Sequence, residues 1–172
     1  MFQNPEIALD DLPGMEDLDW QKLHKDFVRR MQVQHALVAL APLAGATVFT
    51  VLLHALLIPT LFLWTLAVGF AIVFVSWPRI SVPRRGYVVR DKDIVFRSGV
   101  IWRSVTAIPY NRIQHVETSN TPLDRKFGVA TLQLFTAGGS GGDLKIDGLG
   151  ANVAEQLRIY ILDKVGVSIE TA

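Results

Sequence analysis

Residues 36–78 read ALVALAPLAGATVFTVLLHALLIPTLFLWTLAVGFAIVFVSWP, inside a longer run from Met31 to Pro78 that contains no Asp, Glu, Lys or Arg. Written as one helix, the quoted segment would extend about 64 Å at 1.5 Å per residue. That is about twice the hydrocarbon thickness of a bilayer, so the chain has to cross twice. His54 is the polar break, and Pro59 follows five residues later. The pattern therefore predicts helices at about 33–54 and 58–77 joined by a very short turn. Between Ile58 and Val75 the second helix holds eleven Leu, Ile, Phe or Val residues. These supply roughly −3 to −7 kcal/mol toward insertion. The first helix is richer in Ala and contains Pro42, Gly45 and Thr47. Its small residues suit either close approach to the second helix or a plain lipid-facing surface.

The flanks set an expected orientation. Lys22, Lys25, Arg29 and Arg30 precede the first helix; Arg79, Arg84, Arg85 and Arg90 follow the second, and the connecting turn has no Lys or Arg. Both termini are expected on the cytoplasmic side, with Trp77 as an interfacial anchor. The apolar region starts too late, is too long and follows too many acidic residues for a signal peptide.

The formal net charge of +1 hides an asymmetry. Residues 1–30 carry four basic and seven acidic side chains, whereas residues 79–172 carry thirteen and nine. A basic segment next to anionic headgroups gains about 1 kcal/mol per Lys or Arg close to the surface. The basic residues are scattered and not stacked along one helix, which argues against nucleic acid as the partner. With no cysteine in the chain, disulfides, thiolate nucleophiles and cysteine-ligated metals are excluded.

Residues 1–32 are expected to form an arm. It begins acidic and is broken by Pro5, Pro13 and Gly14. Trp20, Leu23, Phe27 and Met31 then recur at helical spacing. That spacing fits an interfacial helix leading into the membrane, or a helix packed on the domain that follows. From residue 79 to 172 the texture changes to short alternating runs. GYVVRD, IVFRSG, VIWRSVTAIP, IQHVETS, VATLQLFTAG and DLKIDGL read as six strands. The closing GANVAEQLRIYILDKVG reads as an amphipathic helix. Its expected N-cap is Asn152 with Glu155 as capping-box partner, its apolar stripe is Val153, Leu157, Ile161 and Val165, and its expected stop is Gly166.

Two apolar helices followed by IPYNRIQHVE (108–117), TPLDRKFGVATLQLFTAGG (121–139) and the terminal helix resemble the YdbS-like bacterial pleckstrin-homology (PH) family. The resemblance covers nearly all of residues 20–166. It implies a two-helix transmembrane hairpin followed by a PH-like β-barrel or sandwich, with a C-terminal α-helix capping one end. It implies seven strands, one more than the six read above, and a bend or break within Val100–Pro109 would supply the seventh. It also implies a bacterial inner-membrane location and a noncatalytic scaffold or accessory role. The expected partner is a larger membrane protein carrying several PH-like domains. The alternative is a module that binds anionic headgroups.

Candidate contact residues are Arg84, Arg85, Arg97, Arg103, Arg125 and Lys126, with Lys92 beside them. Arg97 and Arg103 flank the Ser98–Gly99 turn, where a hairpin would bring them together. Asp124, Arg125 and Lys126 are expected to face water or headgroups, while Leu123 and Phe127 tuck inward. Arg84 and Arg85 also read simply as a positive flank, and the others as solvated strand faces. Catalysis has little support. GGSGG (138–142) matches G-x-S-x-G, but a strand pattern follows it and no histidine lies downstream, so it reads as a hairpin. It also lacks the Lys-Ser/Thr ending of a phosphate loop. The four histidines, His24, His35, His54 and His115, have no metal-ligand spacing, and no cofactor or small-molecule substrate is expected.

Overall fold

The computed structural model describes residues 18–52, 57–137 and 144–170, with side chains through 166. The acidic arm before residue 18, His54 and the GGSGG segment with Ser140 lie outside the described residues. Helix α1 spans Phe27–Leu52 and α2 spans Leu57–Ser81. A single 3₁₀ turn, Val82–Arg84, leads into the sheets. Both helices extend beyond their expected outer ends and run about 37–39 Å. Their surfaces form an apolar sleeve: Leu37, Leu52, Ile58, Phe62, Ile72 and Val73 are all largely exposed. A sleeve of this length is stable in hydrocarbon and not in water.

The helices pack along their small residues. Ala39 and Ala46 of α1 and Ala67 of α2 are buried, whereas Gly45 has open space around it. Close approach thus runs through alanines seven apart. Polar side chains zip the pair at both ends. Toward the domain, His35 Nδ1 donates to the Phe74 carbonyl at 2.8 Å and its ring stacks on Phe74 at 4.2 Å. Gln32 Nε2 reaches the Val75 carbonyl at 3.3 Å. Toward the turn, Trp64 Nε1 donates to Thr50 Oγ1 at 3.2 Å. In a nonpolar surrounding such groups have no water to bind, which favours pairing across the helices.

Two antiparallel sheets follow, ordered β1-β2-β3 and β4-β5-β6. The first holds β1 (Gly86–Val89), β2 (Asp93–Ser98) and β3 (Ser104–Pro109). The second holds β4 (Ile113–Ser119), β5 (Val129–Thr136) and β6 (Leu144–Gly150). A five-residue helix α3 (Pro122–Lys126) links β4 to β5, and α4 (Ala151–Glu170) closes the domain. Alternation places Ile94, Leu132, Leu134 and Ile146 fully inside, each contributing about 1.5–3 kcal/mol by burial.

The expected six strands are present, so the implied seventh is not supplied by Val100–Pro109. That stretch holds a turn and β3. The place beside β1 is taken from the other end of the chain. Gln21 N–H donates to the Tyr87 carbonyl at 2.9 Å and the Gln21 carbonyl accepts from Tyr87 N–H at 3.1 Å, an isolated antiparallel bridge. Three residues on, His24 N–H donates to the Gly148 carbonyl of β6 at 2.8 Å. The helical spacing of Trp20, Leu23 and Phe27 was therefore misleading: this segment is extended, and α1 begins only at Phe27. Leu23 and Phe27 nonetheless join the domain core.

The terminal helix differs in detail from its sequence pattern. It starts at Ala151, ahead of the expected cap at Asn152, and it runs through Gly166. Glu155 accepts from Arg158 at 2.6 and 3.0 Å instead of capping. Ala154, Leu157 and Ile161 face the core, while Val153 is 38% exposed. Of the expected stripe, Leu157, Ile161 and Val165 lie on or against the core and only Val153 is replaced, by Ala154, which carries too little apolar weight to be read as part of the face.

Gly148 has φ +81°, and an added Cβ would overlap the Phe27 ring. Gly148→Ala is expected to destabilise the full chain by about 1–3 kcal/mol, combining strain at a positive φ with overpacking. Gly166→Ala, in a helix with nothing near it, should be neutral or stabilising by up to about 1 kcal/mol. Thermal unfolding of both variants in detergent micelles checks this contrast.

Candidate functional site

Three of the expected arginines converge. Arg84 ends the 3₁₀ turn after α2, Arg97 lies near the end of β2, and Arg103 precedes β3. With Ser98, Ser104 and Val105 they line a cavity of about 280 Å³. The β2–β3 register pairs Ser98 with Ser104 and Arg97 with Val105, which closes the hairpin and draws Arg103 toward Arg97. Each guanidinium has a different degree of freedom. Arg84 Nη1 donates to the Ile80 carbonyl at 2.6 Å, so its charge sits over the last turn of α2, where the helix dipole favours a cation. Arg97 lies with its guanidinium carbon 4.3 Å above the Trp20 ring. Its buried Nε has no hydrogen-bond partner among the described residues. Arg103 is exposed. No carboxylate lines this cavity, and Arg donors in such a group fit phosphate oxygens geometrically.

Arg85 belongs to the neighbouring surface. It lines a shallower cavity of about 240 Å³ with Trp77, Ser81 and the Gly99–Trp102 turn. Arg125 and Lys126 line neither cavity. They end α3 and are exposed, as expected. Asp124, in contrast, does not face water. It is 5% exposed and receives Arg30 Nε of α1 at 2.5 Å across ninety-four residues of sequence. The reason is local. Thr121 caps α3, its hydroxyl accepting from Asp124 N–H at 3.2 Å. The Asp124 carboxylate returns the contact, accepting from Thr121 N–H at 2.8 Å and from the Thr121 hydroxyl at 2.7 Å. This capping box turns the side chain inward. Arg30, which also donates to Gln34, then meets it from the first turns of α1. The signal was visible as T-x-x-D at residues 121–124, but the adjacent Arg125 and Lys126 made it look like a solvated knot.

Burial alone would raise the Asp124 pKa. The hydroxyl and N–H of Thr121 and the Arg30 guanidinium outweigh it, and the net direction is down. Around the pair lies a polar cavity of about 340 Å³ that also includes His35, Arg85, Lys145 and Asp147. Lys145 and Asp147 are 3.6 Å apart, and Asp147 accepts from Thr131 at 3.1 Å. Arg30 with Asp124, and Lys145 and Thr131 with Asp147, satisfy one another, which marks a structural junction. Tyr110 is likewise structural: burial, then the neighbouring Tyr160, pushes its phenol upward, and its hydroxyl donates to the Arg90 carbonyl at 2.9 Å. A phenol held protonated is a poor general base. His115 is exposed on β4 and tilts against Phe135. Among the described residues no cluster of three His, Asp or Glu side chains is placed to hold a metal ion.

This arrangement defines a membrane protein in which a two-sheet, PH-like domain is carried directly on an apolar helical hairpin. The family model for the bacterial PH domain matches residues 36–165, and the chain belongs to that family. The transmembrane protein YdbS of Bacillus subtilis (strain 168) is 37% identical over 51 residues, covering 30% of this chain and 32% of that protein. No solved structure matches the chain.

Removing one partner of a buried ion pair leaves the other charge uncompensated. Arg30→Met is expected to lower stability toward the low end of about 3–5 kcal/mol, since Thr121 still binds Asp124. The pH sign follows from the lowered pKa. The contribution of Asp124 is complete above the ordinary carboxylate value of 3.8 and is lost as pH falls below it, through the folded-state value. The stability advantage of the native chain over Asp124→Asn should therefore be flat above about pH 5 and shrink below pH 4. Denaturant titrations across that range check it.

Proposed function

We propose that the protein is a noncatalytic scaffold or accessory subunit that crosses the inner membrane twice and holds its PH-like domain at the cytoplasmic face for contact with a partner protein. The observation that carries this reading is the rigid mounting of the domain. Arg30–Asp124 and the Phe27–Gly148 contact fix it to α1, and only the Val82–Arg84 turn and Arg85 separate α2 from β1. A domain fixed in this way presents defined surfaces in the plane of the membrane and at high effective concentration. Strand β3 is one such surface. It pairs with β2 on one side, is the outer strand of its sheet, and is exposed at Ser104, Val105, Ala107 and Pro109. Outer strands of this kind accept a further strand from another chain. The partner expected from family resemblance is a larger membrane protein with several PH-like domains. The lack of Lys and Arg in the connecting turn, against basic flanks at both outer ends, supports the proposed topology.

A second reading, binding of anionic lipid headgroups, is favoured by the convergence of Arg84, Arg97 and Arg103 on one cavity without a carboxylate. The two readings separate by substitution. In mild-detergent purification from the native membrane, with mass spectrometry of proteins and lipids together, a stoichiometric partner should survive salt washing. Ala107→Lys on the β3 edge should release that partner, whereas Arg97→Gln with Arg103→Gln should leave it bound. A lone chain enriched in one anionic lipid, with that enrichment lost in the double Gln variant, would replace the scaffold reading by the lipid one.

A further inference from the structure

We propose that the turn between β2 and β3, Gly99–Arg103, is a membrane wedge: Ile101 and Trp102 enter the lipid interface of the leaflet next to the domain and give it a bilayer contact separate from its two helices. The inference rests on the reading that α2 crosses the bilayer.

Ile101 is 75% exposed and Trp102 is 87% exposed. Among the described residues no other large apolar side chain of the domain is as open; Ile159 on α4 follows at 58%. Their position gives that exposure a meaning. Gly99, Ile101 and Trp102 share a cavity with Trp77, Ser81 and Arg85. Trp77 and Ser81 belong to the last turns of α2, one helical turn apart. The tip of the β2–β3 hairpin is therefore continuous with the end of the apolar sleeve. Two tryptophans, one on a helix and one on a loop, meet at the depth where amphipathic aromatic rings favour the boundary between acyl chains and headgroups.

The turn is built to hold this shape. Gly99 has φ +104°, and a Cβ there would run into the Trp102 carbonyl. Only glycine permits so tight a reversal, and the reversal leaves the two apolar side chains at the tip. The charge around the tip has one sign. Arg84, Arg85, Arg97 and Arg103 line the two cavities that meet at Gly99, and neither cavity has an acidic lining residue. An apolar tip inside a basic collar matches an anionic bilayer, whose hydrocarbon lies behind a layer of phosphates.

The chain has no cysteine, so single introduced cysteines label uniquely. Spin labels at Ile101→Cys, Val73→Cys and Gln114→Cys are placed in the full chain reconstituted into vesicles of phosphatidylglycerol and phosphatidylethanolamine. Collision with oxygen and with a water-soluble nickel chelate gives the depth of each. Val73 lies exposed on α2, and Gln114 is exposed on β4. The expected result is a deep label at 73, an aqueous label at 114, and a label at 101 that oxygen reaches several-fold more readily than nickel. Nickel access at 101 equal to that at 114, with 73 deep, overturns the wedge and leaves α2 in the membrane. An aqueous label at 73 overturns both readings. A label at 101 shielded from both reagents means that protein covers the tip, and this too overturns the wedge.

Discussion

The domain depends on a short extended segment and turn, residues 21–26, that lead into Phe27 at the start of its first helix. Gln21 hydrogen-bonds to Tyr87 of one sheet and His24 to Gly148 of the other, so Gln21–Phe27 spans the gap between the two sheets. Leu23 and Phe27 enter the shared core from that span. Without it, the outer side of β1 would expose unpaired backbone groups, and the Phe27 ring would no longer fill the space above Gly148. The segment is also the start of α1. The residues that finish the core are thereby the ones that lead directly into α1.

The Arg30–Asp124 pair follows from this constraint. Once Phe27 is seated, the first turn of α1 carries Arg30 to the base of the domain, and the Thr121 capping box has already turned Asp124 toward it. A buried ion pair adds little net stability compared with an apolar pair of the same shape, but it tolerates few alternative geometries. Its contribution here is orientation. Phe27 fixes the depth of α1 against the sheets, and the ion pair fixes rotation about the helix axis.

Much of this was legible in the sequence. The uncharged run gave both helices, because a stretch of that length without charge has one stable environment. The six strands were readable because alternation, turn glycines and β-branched residues agreed along each of them. The convergence of Arg97 and Arg103 followed from a short hairpin. The remainder was hidden for physical reasons. Trp20, Leu23 and Phe27 satisfy a helical period by coincidence, since an extended segment crossing between two sheets has no period of its own. Asp124 looked solvated because its partner is ninety-four residues distant, and no local pattern reports such a pairing. Val153 was placed inside because hydropathy weights it above Ala154, whereas packing against a crowded sheet selects the smaller side chain.

Mounting on two helices also determines which surfaces are available to others. A domain hung from one flexible linker samples every orientation, and its affinity for a neighbour is reduced by the fraction of time spent facing it. Here α1 is locked through Phe27 and Arg30, and α2 passes into β1 through a single 3₁₀ turn, so both attachments are short. The basic cavity and the Ile101–Trp102 tip consequently stay beside the end of α2. The outer strand β3 begins immediately after that tip and leads away from it. The contacts that seat the domain on α1 and α2 thus also set where β3 lies relative to the end of α2.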